Sequence, residues 1–260
     1  MRQARSGRRL IGVSLKMYMD LVRTRDWMTA LARMARTALP DDVDLFVVPG
    51  FLSIRDAVDA LSGSRVAVGA QDVFWEDQGP YTGEVSAPLL AQAGCRYVEI
   101  GHAERRRLFG ETDADAMRKV EASVRSGLVP VLCVGEDTEA APKAAVEHCG
   151  GQIAAALGGV AADREVVIAY EPVWAIGAPQ PASAEHIRAV AGGLRAMLRE
   201  RRNTRLIYGG SAGPGLLGSL GETVDGLFLG RFAHDINALR AVLAEASSLG
   251  AAKPASRDHA

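Results

Sequence analysis

Apolar residues in this chain fall into two alternating patterns. Short, continuous, mostly β-branched runs lie at Leu10–Ser14, Leu45–Val48, Arg65–Gly69, Cys95–Glu99, Val129–Val134, Glu165–Tyr170, Arg205–Tyr208 and Val224–Leu229. Runs of this length without polar alternation suit strands buried on both faces. Between them the apolar spacing lengthens to a helical one. From Thr112 to Gly127, Thr112 reads as an N-cap, Ala116, Met117, Val120 and Val124 as a stripe, and Gly127 as the stop. Another helix starts at Ser183 and carries Ile187, Val190, Leu194, Met197 and Leu198 on one side. Strands separated by helices pair in parallel, and eight such units are the number that closes a sheet on itself. The pattern therefore predicts an α/β chain folded as a single (β/α)8 barrel, with a doubly wound open sheet as the alternative.

Composition narrows the function classes. The 260 residues, 48% hydrophobic and 23% charged, suffice for one large core. One domain is expected over 1–260, with the barrel at about 9–246 and unstructured tails at 1–8 and 247–260. A net charge of -1 offers no clustered basic face for nucleic acid or an anionic membrane. The basic run Arg2, Arg5, Arg8 and Arg9 lacks a following apolar stretch and reads as a solvated terminus. No stretch reaches the roughly 18 uninterrupted apolar residues of a membrane span. Cys95, Cys133 and Cys149 are widely spaced, so neither a disulfide framework nor a zinc site is indicated and a reducing cytoplasm fits.

In such a barrel the chemistry gathers at the carboxyl ends of the strands, and the polar residues of this chain gather there too. Glu171 ends the sixth run and is followed by Pro172-Val173-Trp174-Ala175-Ile176-Gly177, a stiff loop too apolar to be a free surface turn. A lone Glu at a strand end is ordinarily a surface acid; one followed by an apolar loop suits a catalytic base under a lid. Lys16 lies between Leu15 and Met17, where an ammonium needs a carboxylate such as Glu104 or a bound anion. His102 follows Gly101 at the fourth strand end and opens an apparent helix with Glu104 in its first turn, a placement that keeps an imidazole neutral. Gly209, Gly210 and Ser211, beside Gly230 on the next strand, form a candidate phosphate cradle, aided by a short helix from Gly213. Cys133 reads as a buried hydrophobe, Glu136 as a loop anchor, and Glu99 as a residue inside the barrel.

These residues, with Lys16-Met17, Gly69-Ala70-Gln71-Asp72, Tyr81-Thr82-Gly83-Glu84-Val85-Ser86, Ile100-Gly101-His102-Ala103-Glu104-Arg105-Arg106, Leu132-Cys133-Val134-Gly135-Glu136 and Tyr208-Gly209-Gly210-Ser211, stand in the order of the triosephosphate isomerase family's signatures, and the chain resembles that family from about Ile11 to Ala233. The resemblance implies a TIM barrel that isomerises phosphosugars without cofactor or metal, interconverting glyceraldehyde 3-phosphate and dihydroxyacetone phosphate through an enediolate, as in glycolysis or gluconeogenesis. It implies Glu171 as base, His102 as electrophile, Lys16 as electrostatic partner, Glu104 as a supporting carboxylate, and Pro172 to Gly177 as lid. Ser14, Gly177, Gly210, Ser211, Gly230 and Arg231 fall at substrate-binding places. A homodimer is implied as well, with Thr82 entering the partner's site.

Departures from the family's usual pattern cluster where substrate binds. Ser14 stands in place of asparagine, Leu15 of tryptophan, Ala103 of serine, Ala178-Pro179-Gln180 of a Thr-Gly-Lys hinge, and Arg231 of a glycine at the phosphate cradle. Arg231 is expected either to pair with the phosphate or to swing outward and enlarge the cradle. This resembles relatives that isomerise four-carbon phosphoketoses such as erythrulose phosphate, which is the alternative substrate. A barrel that binds sugar phosphate without turnover is the alternative from another class.

Overall fold

The structure, a computed structural model, describes residues 7–177 and 182–251. Its strands are β1 (Arg9–Ser14), β2 (Val43–Val48), β3 (Val66–Ala70), β4 (Tyr97–Ile100), β5 (Val129–Val134), β6 (Val166–Tyr170), β7 (Thr204–Tyr208) and β8 (Gly226–Leu229). All pair in parallel, in sequence order, and β8 returns to pair with β1, so the sheet closes into a barrel and the open-sheet alternative falls away. Helices α1 (Leu21–Ala38), α2 (Ile54–Leu61), α3 (Ala87–Gln92), α4 (Ala103–Phe109), α5 (Asp113–Arg125), α6 (Pro142–Leu157), α7 (Ala184–Met197), α8 (Leu216–Leu220) and α9 (Ile236–Ala251) form the outer layer.

The strands are mostly apolar on both faces because each face meets a different core. Ile11, Val13, Leu45, Ile168 and Leu206 pack outward against the helices. Leu10, Phe46, Tyr97, Val131, Cys133, Ala169 and Phe228 point inward and fill the barrel. Phe46 stacks on Tyr97 and Phe228, with ring centroids 4.4 and 5.6 Å away. The amino end of the barrel is closed by a polar plug: Arg205 pairs with Asp44 at 2.7 Å and Glu165 at 3.1 Å, and donates to the Tyr97 hydroxyl at 3.0 Å. β2 begins two residues before the apolar run because Asp44 belongs to this plug.

The helix starts follow the expected chemistry. Thr112 caps α5 in a reciprocal capping box with Asp115, and Ser183 caps α7 by accepting from the His186 amide. Two expectations need correction. Met197 is 53% exposed, not on the buried stripe of α7; it lies across α6 against Gly150 while Leu198, one residue on, turns inward. The unstructured tails are shorter than expected where the structure describes them. Arg8 bonds the Asp41 carbonyl and pairs with Asp44, and α9 runs past Ser247, whose hydroxyl donates to Asp42 at 2.7 Å.

Candidate active site

The carboxyl ends of β1, β4, β6, β7 and β8 surround a cavity of about 390 Å³, lined by Ser14, Lys16, Glu99, His102, Glu104, Glu171, Gly177, Gly210, Ser211, Gly230 and Arg231 among others. Of the site residues expected from sequence, only Thr82 lies apart, exposed on the loop between β3 and α3. The Ala178-Pro179-Gln180 hinge lies outside the described residues.

Lys16 has a φ of +49°, the only non-glycine residue with positive φ among those described, a conformation that L side chains rarely adopt. Gln71 holds it there by donating to the Lys16 carbonyl at 3.0 Å and the Val48 carbonyl at 3.2 Å. The ammonium so aimed meets the Glu104 carboxylate at 2.7 Å. Burial works against the Lys16 charge, but the hydrogen bond and charge of Glu104, then Glu171 and Glu99, outweigh it and raise the pKa. Glu104 is held below the usual carboxylate range, since the Lys16 bond and charge overcome its partial burial.

His102 is the N-cap of α4, and its Nδ1 accepts the Glu104 amide at 3.1 Å. Nδ1 therefore carries no proton in the neutral ring, which puts the N–H on Nε2, facing the cavity. Burial, with Lys16 next, pushes the pKa down to about 4, so the ring is neutral at physiological pH. Gly101 turns the chain from β4 into this cap at a φ of +72°, and its amide is tied to Glu111 at 2.8 Å. Because His102 is neutral, its approaches to Glu171 (3.4 Å) and Glu99 (3.9 Å) are not ion pairs.

Glu171 is 2% exposed. Its Oε1 receives the Cys133 thiol at 3.6 Å, and its Oε2 has no hydrogen-bond partner among the described residues. Burial, then the charge of Glu99, raises its pKa to about 8, which poises the group to take and return a proton near neutrality. Cys133 is the buried hydrophobe expected, with its thiol raised well above the usual range by burial; it also serves Glu171 as a neutral donor. Gly209 lets the carboxylate sit there, since a Cβ on it would come within 2.5 Å of Glu171 Oε1.

The segment after Glu171, the expected lid, starts with a single 3-10 turn, Val173–Ala175. Glu136 anchors it as expected: its carboxylate takes the Trp174 indole at 2.9 Å and the Tyr170 hydroxyl at 3.1 Å, and its carbonyl takes the Val173 amide at 3.0 Å. Ser211 reaches across to the Ala175 carbonyl at 3.3 Å, tying the loop after β7 to the segment after Glu171. The cradle's short helix, α8, starts at Leu216, later than the expected Gly213. Arg231 is exposed and, among the described residues, has no ion-pair partner; its guanidinium lies over the Tyr18 ring, 5.2 Å from the centroid, at the cavity rim.

Tyr18 and Glu99 are among the lining groups that sequence reasoning left out of the site. Tyr18, the perch of Arg231, carries no local signal. Glu99 had one: it alternates with Tyr97 on β4, so both face inward, and Glu99 sits one layer nearer the cavity. It is 3% exposed and accepts the Ser14 hydroxyl at 2.9 Å.

A closed parallel barrel with a carboxyl, a neutral imidazole and an ammonium at its mouth, beside a glycine-lined cradle, defines an isomerase of phosphosugars. A sequence model of triosephosphate isomerase matches residues 9–246, and the chain belongs to that family. It is 48% identical to an L-erythrulose-1-phosphate isomerase of Pectobacterium atrosepticum, over 94% of this chain and 98% of that one. It is 40% identical to a triosephosphate isomerase of Moorella thermoacetica (91% and 98%) and 39% identical to an L-erythrulose-1-phosphate isomerase of Brucella abortus (92% and 96%).

Proposed function

We propose that this isomerase acts on a four-carbon phosphoketose of the erythrulose phosphate type. The observation that carries the chemistry is the convergence of Glu171, His102 and Lys16 on one cavity. What favours four carbons over three is Arg231, drawn off the cradle onto Tyr18, together with the 48% identity to an L-erythrulose-1-phosphate isomerase. In erythrulose 1-phosphate the carbonyl is at C2, C1 carries the phosphoryl oxygen, and only C3 bears both a hydroxyl and a removable proton. Glu171 takes the C3 proton, and the electron pair moves to the C2 oxygen, giving a 2,3-enediolate. His102 Nε2–H and the Lys16 ammonium stabilise that oxygen charge as it develops. Protonation at C2 by Glu171, with transfer of the hydroxyl proton from the C3 to the C2 oxygen, leaves the carbonyl at C3. On this substrate the reaction is therefore ketose to ketose.

The phosphate lies against Gly210, Ser211 and Gly230 in this reading, and its binding energy holds the Pro172–Gly177 lid over the enediolate, which would eliminate phosphate in water. No cofactor or metal takes part, since the substrate carbonyl is the electron sink.

Triose phosphate is the second reading, favoured by the intact Glu171, His102 and Lys16 set and by the 40% identity to a triosephosphate isomerase. There the same proton shift converts aldose to ketose and would serve glycolysis or gluconeogenesis. We also assign a homodimer. Met17, Leu52 and Tyr81 are exposed apolar side chains in the segments following the adjacent strands β1, β2 and β3, and Thr82 sits beside Tyr81 ready to reach a partner's cavity. Among the described residues no helix is long and apolar enough to cross a membrane, and the three buried cysteines are unpaired, which suits the cytoplasm. Assaying the purified protein on erythrulose 1-phosphate, glyceraldehyde 3-phosphate and dihydroxyacetone phosphate tests these readings. Faster turnover of the tetrulose is expected. Faster triose turnover would reverse the order, and near-zero turnover on all would leave a barrel that binds sugar phosphate without converting it.

A further inference from the structure

Glu99 is a titratable group on the cavity floor that the proton shift does not use. It is 3% exposed, and its one hydrogen-bond donor among the described residues is the Ser14 hydroxyl, at 2.9 Å on Oε2. A carboxylate offers about four acceptor positions, so most of its capacity is open. Its other oxygen, Oε1, stands 3.9 Å from His102 Nε2, too far for a hydrogen bond and near enough to share the reacting region. A buried acid with a single partner is costly to keep, and at a cavity wall it suits a polar ligand atom.

Its place in the barrel fixes which part of a substrate could reach it. The cradle belongs to β7 and β8, and β4, which carries Glu99, lies four strands from β8 around the closed sheet. Glu171 follows β6, midway between these two sides, and His102 follows β4 itself, beside Glu99. With its phosphate at the cradle and its reacting carbons at His102 and Glu171, a three-carbon substrate ends there. A four-carbon ketose has one hydroxymethyl group more, directed away from the phosphate.

We infer that Glu99, steadied by Ser14, is a specificity residue that hydrogen-bonds the terminal hydroxyl of a four-carbon phosphoketose. The inference rests on the four-carbon reading above. The contact forms in either protonation state, because a carboxylate accepts from the hydroxyl and a carboxylic acid donates to it. That matters here, since burial raises Glu99 to about 7. Lys16, Glu104, Glu171 and Asp72 are the other charges that act on this site, and a triose meets all of them equally.

The test measures kcat and KM for wild type, Glu99→Val and Glu99→Gln on L-erythrulose 1-phosphate and D-glyceraldehyde 3-phosphate, with thermal unfolding to verify folding. Glu99→Val should lower kcat/KM for the tetrulose at least ~10-fold more than for the triose, the scale of a lost hydrogen bond to a substrate hydroxyl. Glu99→Gln keeps an acceptor and should shift that ratio by less than about 5-fold. Equal losses on both substrates, or a ratio within about 3-fold of wild type in Glu99→Val, would overturn the inference by assigning Glu99 to the common chemistry or to none. If Glu99→Val fails to fold, competitive inhibition of wild type by erythritol 4-phosphate and glycerol 3-phosphate decides: the longer ligand should bind at least ~10-fold tighter, and equal inhibition rejects the contact. Wild type without tetrulose turnover would remove the four-carbon reading and this inference with it. Tetrulose turnover with an unshifted ratio removes the inference alone.

Discussion

Glu171→Gln should make the folded protein less sensitive to alkaline pH. The carboxyl is fully enclosed and its folded-state pKa is raised from 4.5 to about 8, first by burial and then by the charge of Glu99. Between those values the folded protein holds a proton that the unfolded chain has released. Stability from this group is therefore fully present below pH 4.5 and is lost progressively as pH rises from 4.5 through 8. A gap of this size is worth on the order of 5 kcal/mol at pH 9, at about 1.4 kcal/mol per unit. Glutamine has nearly the same shape and no charge to expel from water. His102 works in the opposite sense: with its pKa lowered to about 4, its contribution is present above 6.5 and lost as pH falls through 4. That contribution is common to both proteins and largely cancels in the difference. Urea unfolding at fixed protein concentration, at pH 5.5, 7 and 9, measures the effect. Wild type should weaken across this range while Glu171→Gln stays nearly level or weakens less. Curves that run parallel within about 1 kcal/mol would mean the carboxylate is solvated in the folded state, and the account of a desolvated base would fail.

Glu171→Asp shortens the side chain by one methylene and withdraws the base from carbon by about 1 Å, so kcat should fall ~10²-fold or more with the fold intact; unchanged turnover removes Glu171 from the base role. His102→Gln should lower kcat ~10²-fold with a smaller change in KM, and a change confined to KM would reject the electrophile role. Arg231→Gly should shift the ratio of tetrulose to triose kcat/KM, and an unmoved ratio rejects Arg231 as a specificity group. Arg205→Met should cost about 2 kcal/mol of stability by removing charge-assisted hydrogen bonds to Asp44 and Glu165, which keep Arg8 and Arg96 as partners, while activity per folded molecule holds; loss of activity without loss of stability would refute the division of labour between the barrel's ends.

Much of this was legible because it lies in short-range pattern. Eight unbroken apolar runs have one economical closure, and the alternation of strand and helix left little freedom in pairing. Thr112 and Ser183 were readable as caps because the bond each accepts lies only three residues along the chain. What escaped depends on long-range placement. Met197 sits at the last turn of its helix, where a single step of rotation decides whether it or Leu198 faces inward. The strain at Lys16 depends on Gln71, 55 positions away. Arg231 was seen to need somewhere to go, but its perch on Tyr18 depends on how the segments after β8 and β1 meet. Glu99 was placed inside the barrel; whether it faced the plug or the mouth depended on strand register, which an apolar run does not specify.

The Arg205, Asp44, Glu165 and Tyr97 plug lies at the end of the cylinder away from the chemistry. Closure of the staves is thereby secured at one rim, and the opposite rim is free to vary. On the four-carbon reading proposed above, a change of a few residues there, such as those at 14, 99 and 231, would retune the length of cargo that the mouth accepts without asking the scaffold to fold anew.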